Sequence, residues 1–207
     1  MKIILKDICK SYEDKVIFDK FNLTVEKGEM LAITGISGSG KTTLLHIIGL
    51  LEKPDSGDVV VDDIPNKYKE KTKIRLYRNV YSFLFQNYAL IANMTVSENL
   101  DIALKYVEKN LRKNLKQNAL NKLALLDKQN QKIFKLSGGE QQRVALARIM
   151  VKPNTIVLAD EPTGALDPLN RDLILEILKK LSTDGKTILM VTHDPIVANC
   201  CSRVINL

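Results

Sequence analysis

The chain has 207 residues, 45% hydrophobic and 27% charged, with a formal net charge of +7. That length holds one domain, or a domain with an inserted lobe, around a substantial core. No apolar stretch approaches the ~20 residues needed to cross a bilayer, and charges interrupt residues 1–7 too early for a secretion signal. The expectation is a soluble protein that stays in the cytoplasm and reaches a membrane only through a partner. Cys9, Cys200 and Cys201 are an odd set without metal-ligand spacing, which reads as reduced structural thiols.

Hydrophobic runs and breakers predict alternating strands and helices. Residues 3–9 and 21–25 read as strands, and 30–34 as a buried strand running into a Gly-rich loop. A helix is expected from Lys41 to about Leu51, stopped by Lys53-Pro54 and the Asp55-Ser56-Gly57 turn. Residues 58–61 and 80–85 read as further strands. Thr95-Val96-Ser97-Glu98 fits a capping box opening a helix. Leu111, Leu115, Ala119, Leu123 and Leu126 fall near one face of a longer helix. Ser137-Gly138-Gly139-Glu140 is a second capping box. Then come a strand at 155–159, a helix at about 168–181, a strand at 187–192, a short helix and a last strand at 203–207.

Positive charge concentrates in two segments. Residues 66–79 carry six basic side chains against Glu70, and residues 105–135 carry nine against Glu108 and Asp127. The reading is a solvated surface, with anionic lipid headgroups and nucleic acid as the alternatives.

Residues 35–42 have the form G-x-x-x-x-G-K-[ST]. Phosphate oxygens need several N–H donors converging in a small space, which a Gly-permissive loop feeding a helix N-terminus supplies. Gly35, Gly38 and Gly40 permit such a loop, and Ser37 and Ser39 complete the cradle. Lys41 would reach the β- and γ-phosphates, the Thr42 hydroxyl would join a Mg²⁺ shell, and Thr43 would hold a more internal phosphate. Mg²⁺ takes hard oxygens and keeps several waters, and Asp160 stands at the end of an apolar strand, placed to hold one of them. Glu161, one residue further, fits a general base that orients and deprotonates an attacking water. Ser137 caps a helix whose N-terminal amides and dipole can face a phosphate.

The order of the Gly-rich loop, Gln86, Leu136-Ser137-Gly138-Gly139-Glu140-Gln141-Gln142-Arg143, Ala159-Asp160-Glu161 and Thr192-His193-Asp194 resembles the ATP-binding subunits of ABC transporters over nearly the whole chain. The resemblance implies an α/β fold: a P-loop NTPase core with an antiparallel β subdomain and a helical subdomain inserted at about 88–151. It implies that Gln86 links the metal to permease contacts, that His193 touches the γ-phosphate, and that Tyr12 stacks on adenine. It also implies that Ser137, Gly138 and Gly139 reach a γ-phosphate held by a second, inverted copy, with Asp167 at the same interface. The functional unit would then be a homodimer around two Mg-ATP that hydrolyses ATP and drives an integral membrane permease. Residues 87–94, with Tyr88, Leu90 and Ile91, would receive a permease helix. Gln141, Gln142 and Arg143 read as helix and interlobe contacts, and His46 as structural. No nucleic-acid partner is expected, and the chain ends too soon after His193 to add a regulatory domain. Ala165 stands where several branches carry another small or polar residue.

The wording of residues 85–90 and 158–167 is most similar to the ATPases of macrolide exporters, lipoprotein-release complexes and antimicrobial-peptide export or resistance systems. A nutrient-importer subunit and a soluble ATPase of the iron–sulfur assembly type are the alternatives. A phosphate-loop kinase or GTPase would leave Gln86, His193 and the Leu136–Arg143 run without roles.

Overall fold

The computed structural model describes residues 1–13, 15–62, 70–164 and 166–207. Residues 66–69 of the first basic segment and Ala165 lie outside the described residues. The chain opens with β1 (Ile3–Tyr12), β2 (Lys15–Val25), β3 (Met30–Thr34), α1 (Lys41–Ile48) and β4 (Ser56–Val61). It continues with α2 (Glu70–Asn79), β5 (Tyr81–Leu84), α3 (Val96–Ala103) and α4 (Lys109–Lys122). Two 3₁₀ turns, Leu126–Lys128 and Ile133–Lys135, lead into α5 (Gly138–Val151). The last elements are β6 (Ile156–Asp160), α6 (Pro168–Thr183), β7 (Thr187–Val191), α7 (Pro195–Ala198) and β8 (Arg203–Asn206).

A three-stranded antiparallel sheet has the order β2-β1-β4, with Ile3 opposite both Val25 and Val61. It turns Ile3, Leu5, Ile8, Val25, Val59 and Val61 inward against α1. The second sheet is five-stranded and parallel where its registers are defined, in the order β5-β6-β7-β3-β8. Its central strands are near-continuous apolar runs: Ile156–Ala159, Ile188–Val191 and Met30–Ile33 are all buried. Strands covered on both faces require that composition. Because these strands are parallel, the loops after β3, β5, β6 and β7 leave from one edge, where ligands of open α/β sheets bind.

Against the other part of the parallel sheet packs a helical cluster built on α3, α4 and α5, with Leu100, Leu120, Leu123 and Leu146 at its centre. Both capping boxes form, Thr95 with Glu98 and Ser137 with Glu140. Among the described residues no helix is long and apolar enough to cross a membrane.

Several boundaries differ from the sequence reading. β2 starts at Lys15 rather than 21: before residue 21 only Phe18 is buried and Val16 is exposed, so no alternation marks its first half. α1 stops at Ile48 rather than near Leu51, since Gly49 caps it and Leu50 turns left-handed at φ 59°. The Leu111–Leu126 stripe is only half a buried face. Leu111 is 47% exposed, Leu126 belongs to a 3₁₀ turn, and Ala119, Leu120 and Leu123 form the contact. α2 was not anticipated as a helix: Leu76 is its one fully buried residue, too little for a periodic signal.

Candidate functional site

The loop between β3 and α1 crosses the carboxyl edge of the parallel sheet. Gly38 and Gly40 adopt φ 77° and 95°, open to glycine without strain. A Cβ on Gly40 would collide with Ile17 and lie 3.0 Å from Phe18 Cζ, so the loop seats tightly on β2. Lys41 curls over the loop and donates to the carbonyls of Gly35 (3.0 Å) and Ile36 (2.7 Å). Lys15 donates to the Gly38 carbonyl at 3.0 Å. The buried Ser39 Oγ has no hydrogen-bond partner among the described residues.

From this loop the site builds towards β6. Thr42 Oγ1 donates to Asp160 Oδ1 at 3.3 Å. Burial pushes the Asp160 carboxyl above its ordinary range, the Thr42 hydrogen bond opposes this, and the Glu161 charge adds to it. The hydroxyl–carboxylate pair is a hard-oxygen donor set of the kind Mg²⁺ takes. Glu161 follows immediately in the left-handed region, φ 47°, with its N–H donating to the Val191 carbonyl at 3.0 Å. Its Oε1 lies 2.9 Å from His193 Nδ1, while the buried Oε2 has no partner among the described residues. The hydrogen bond and charge of Glu161 hold the His193 imidazole above its ordinary pKa.

These groups line one cleft of about 510 Å³, together with Tyr12, Ser37, Thr43 and Gln86. Gly35 and Ser39 do not line it; a Cβ on Gly35 would meet the Leu207 carbonyl and Ser39 Oγ. The Tyr12 ring is 44% exposed at the end of β1, its hydroxyl 3.5 Å from Thr43 Oγ1. Ile17, Gly164 and Val191, none of them a predicted site residue, also line the cleft. His46, read as structural, lines an adjoining recess of about 310 Å³ with Gln86, Asn87 and Asp160.

The remaining predicted residues lie apart from that cleft. Ser137 caps α5, accepting from the Glu140 N–H at 3.3 Å, and Gly138 and Gly139 form its first turn. Gly139 faces Asn170, whose backbone N–H donates to Asp167 Oδ1 at 3.1 Å and whose side chain pairs with Arg143. Within one chain, therefore, Ser137, Gly138, Gly139 and Asp167 do not line the cleft of the phosphate loop.

A second cavity of about 460 Å³ lies where α2, β5, α3 and α5 meet. Its apolar wall includes Ile74, Tyr77, Phe83, Phe85 and Tyr106, and Arg148 and Lys152 reach it from the end of α5. Of the residues read as permease contacts, Tyr88 and Leu90 are partly buried against the helical core and Ile91 is exposed, while their neighbour Ala89 lines the groove. Tyr88 and Ala89 are left-handed, φ 61° and 46°, and Arg148 donates to both of their carbonyls.

The ABC transporter family profile matches residues 18–164. The chain is 46% identical, over 99% of its length, to the macrolide export ATP-binding/permease protein MacB of Campylobacter jejuni, of which the match covers 32%. It thus spans about a third of that relative. It is 42% identical to the uncharacterized ABC transporter ATP-binding protein YvrO of Bacillus subtilis, over 98% of this chain and 92% of that one. Two solved structures of the cassette MJ0796, one dimeric and one a dimeric post-hydrolysis state with ADP and Pi, superimpose with TM-scores of 0.91. They are 38% and 37% identical, and each match covers 99% of this chain and 94% of the other. With the family profile matching residues 18–164 and YvrO and the MJ0796 cassette matched over nearly the whole of both chains, the chain belongs to the ABC transporter family.

Proposed function

We propose that this chain is an ATP-hydrolysing subunit that pairs with a second copy around two Mg-ATP and drives a membrane permease from the cytoplasmic face. The transport type is export or efflux, as the names of its macrolide-exporter relatives suggest. The observation that carries the reading is the pairing of Glu161 with His193 at 2.9 Å in the cleft that also holds the Thr42–Asp160 pair.

The phosphate-loop amides and Lys41 would bind and orient the triphosphate. Thr42 and Asp160, with Gln86 beside them, would hold Mg²⁺, which when bound neutralises charge on the β- and γ-phosphate oxygens. Glu161 Oε2 would accept a proton from water positioned for in-line attack, while His193 fixes Oε1 and keeps the carboxylate oriented. Tyr12 would stack on the base. Ser137, Gly138, Gly139 and Asp167 would complete the partner's site, consistent with their separation from the cleft of their own chain. The aromatic groove beside Arg148 is the surface this reading gives to the permease, carried by its apolar wall and its position next to the Gln86 loop.

The test is ATP turnover and oligomeric state measured together. Glu161→Gln should form an ATP-dependent dimer by size exclusion and lose most turnover. Wild-type turnover in that variant would remove Glu161 from the chemistry, and a monomer with ATP would remove the paired site.

A further inference from the structure

We infer that Glu52 is a positioning residue for the nucleotide base, anchored by Lys10 and holding the Tyr12 hydroxyl so that the ring is fixed at the mouth of the phosphate loop. The inference rests on the reading of Tyr12 as the base-stacking ring.

Glu52 lies in the turn between α1 and β4, remote in sequence from Tyr12. The Tyr12 hydroxyl donates to Glu52 Oε1, and Lys10 Nζ lies 3.0 Å from the same oxygen. Lys10 in turn donates to the Lys53 carbonyl at 3.1 Å and lies 3.5 Å from Asp55 Oδ1. Asp55 Oδ2 accepts from the Ser11 N–H at 2.7 Å, clamping the turn to the end of β1. Lys10 and Tyr12 are two apart on one strand and so share a face; the Lys10 ammonium sits 5.0 Å from the Tyr12 ring centroid. The Lys10 and Glu52 side chains are only 12% and 25% exposed. Burial raises the Glu52 carboxyl, but the hydrogen bonds from Tyr12 and Lys10 outweigh it and keep the group ionised.

A half-exposed tyrosine at a strand end has free rotamers, and a ligand that needs one of them must bear the ordering cost. The tether removes that freedom before the ligand arrives. It leaves the ring lining the cleft, 3.5 Å from Thr43 at the inner end of the phosphate loop. Base and phosphate contacts are thereby held in fixed register.

The experiment is calorimetric binding of Mg-ATP and of Mg-tripolyphosphate, which lacks a base. Tyr12→Phe keeps the ring and the Lys10–Glu52 pair and removes the link to Glu52 together with the 3.5 Å contact between the hydroxyl and Thr43. It should weaken ATP about three- to tenfold, the range of one net hydrogen bond, with tripolyphosphate affinity retained. Glu52→Ala should match it, Glu52→Gln should recover most of the loss, and the double variant should add nothing to either single one. Unchanged ATP affinity in Tyr12→Phe, or additive losses, would overturn the inference. Tyr12→Ala separates the two levels. If deleting the ring leaves ATP affinity intact, the stacking reading itself fails and takes the Glu52 role with it. If Tyr12→Ala weakens ATP while Tyr12→Phe does not, only the Glu52 role falls.

Discussion

His193 Nδ1 and Glu161 Oε1, 2.9 Å apart, join the carboxyl ends of two neighbouring parallel strands. Register alone accounts for their meeting, since β6 and β7 pair Asp160 with Val191 and each chain then turns at the same level. Glu161→Gln should cut turnover at least ~100-fold, the lower range for a lost general base, while ATP still binds. The same variant gives a pH signature. The raised His193 pKa means its contribution to stability is present below the unfolded value of about 6.5 and is lost as pH rises through the folded one. In Glu161→Gln the imidazole titration, followed by NMR, should move back towards that unfolded value.

Asp160→Asn keeps the shape of the Thr42 contact and removes the charge. The Mg²⁺ concentration giving half-maximal ATP hydrolysis should rise at least ~10-fold, the scale on which disturbing a metal site shows itself. A titration of hydrolysis against Mg²⁺ at fixed ATP reads this directly.

Lys152 predicts a second pH effect of opposite sign. Burial, with the neighbouring Arg148 charge, lowers its pKa to about 8 while its ammonium donates to the Tyr77 and Tyr81 carbonyls at 2.6 Å. Between about 8 and the unfolded value of about 10.4, the unfolded chain binds the extra proton, so this group makes stability rise with pH. Denaturant melts across that window should show the rise in the wild type and its loss in Lys152→Met.

Gly49 ends α1 directly against the parallel sheet. A Cβ there would lie 2.6 Å from Phe83 Cε1 and 2.8 Å from Leu158 Cδ1. Gly49→Ala should therefore destabilise the fold by about 1–3 kcal/mol through overpacking, seen as a lower Tm in calorimetry.

What was legible in the sequence was what is encoded locally. The phosphate loop, both capping boxes and the apolar strands ending at Asp160 and ahead of His193 are contiguous runs whose physics needs no neighbour. The parts that depend on distant segments were not legible. α2 carries a single buried side chain, yet it forms one wall of the aromatic groove. Ala89, rather than Tyr88 or Leu90, lines that groove because two left-handed residues in succession turn the chain. Glu52 meets Tyr12 only because the turn before β4 folds back on β1, and His46 reaches the Gln86–Asp160 recess by the pitch of α1.

α5 has a mechanical consequence. Its 14 residues make a rod of about 21 Å at 1.5 Å per residue. Arg148, near one end, grips the two carbonyls of the turn that follows Gln86; Ser137, at the other end, caps the helix. A hydrogen-bonded rod of this length tilts more readily than it stretches. A load applied at the groove would therefore swing Ser137 through an arc, which couples the two ends of the helix through one angle.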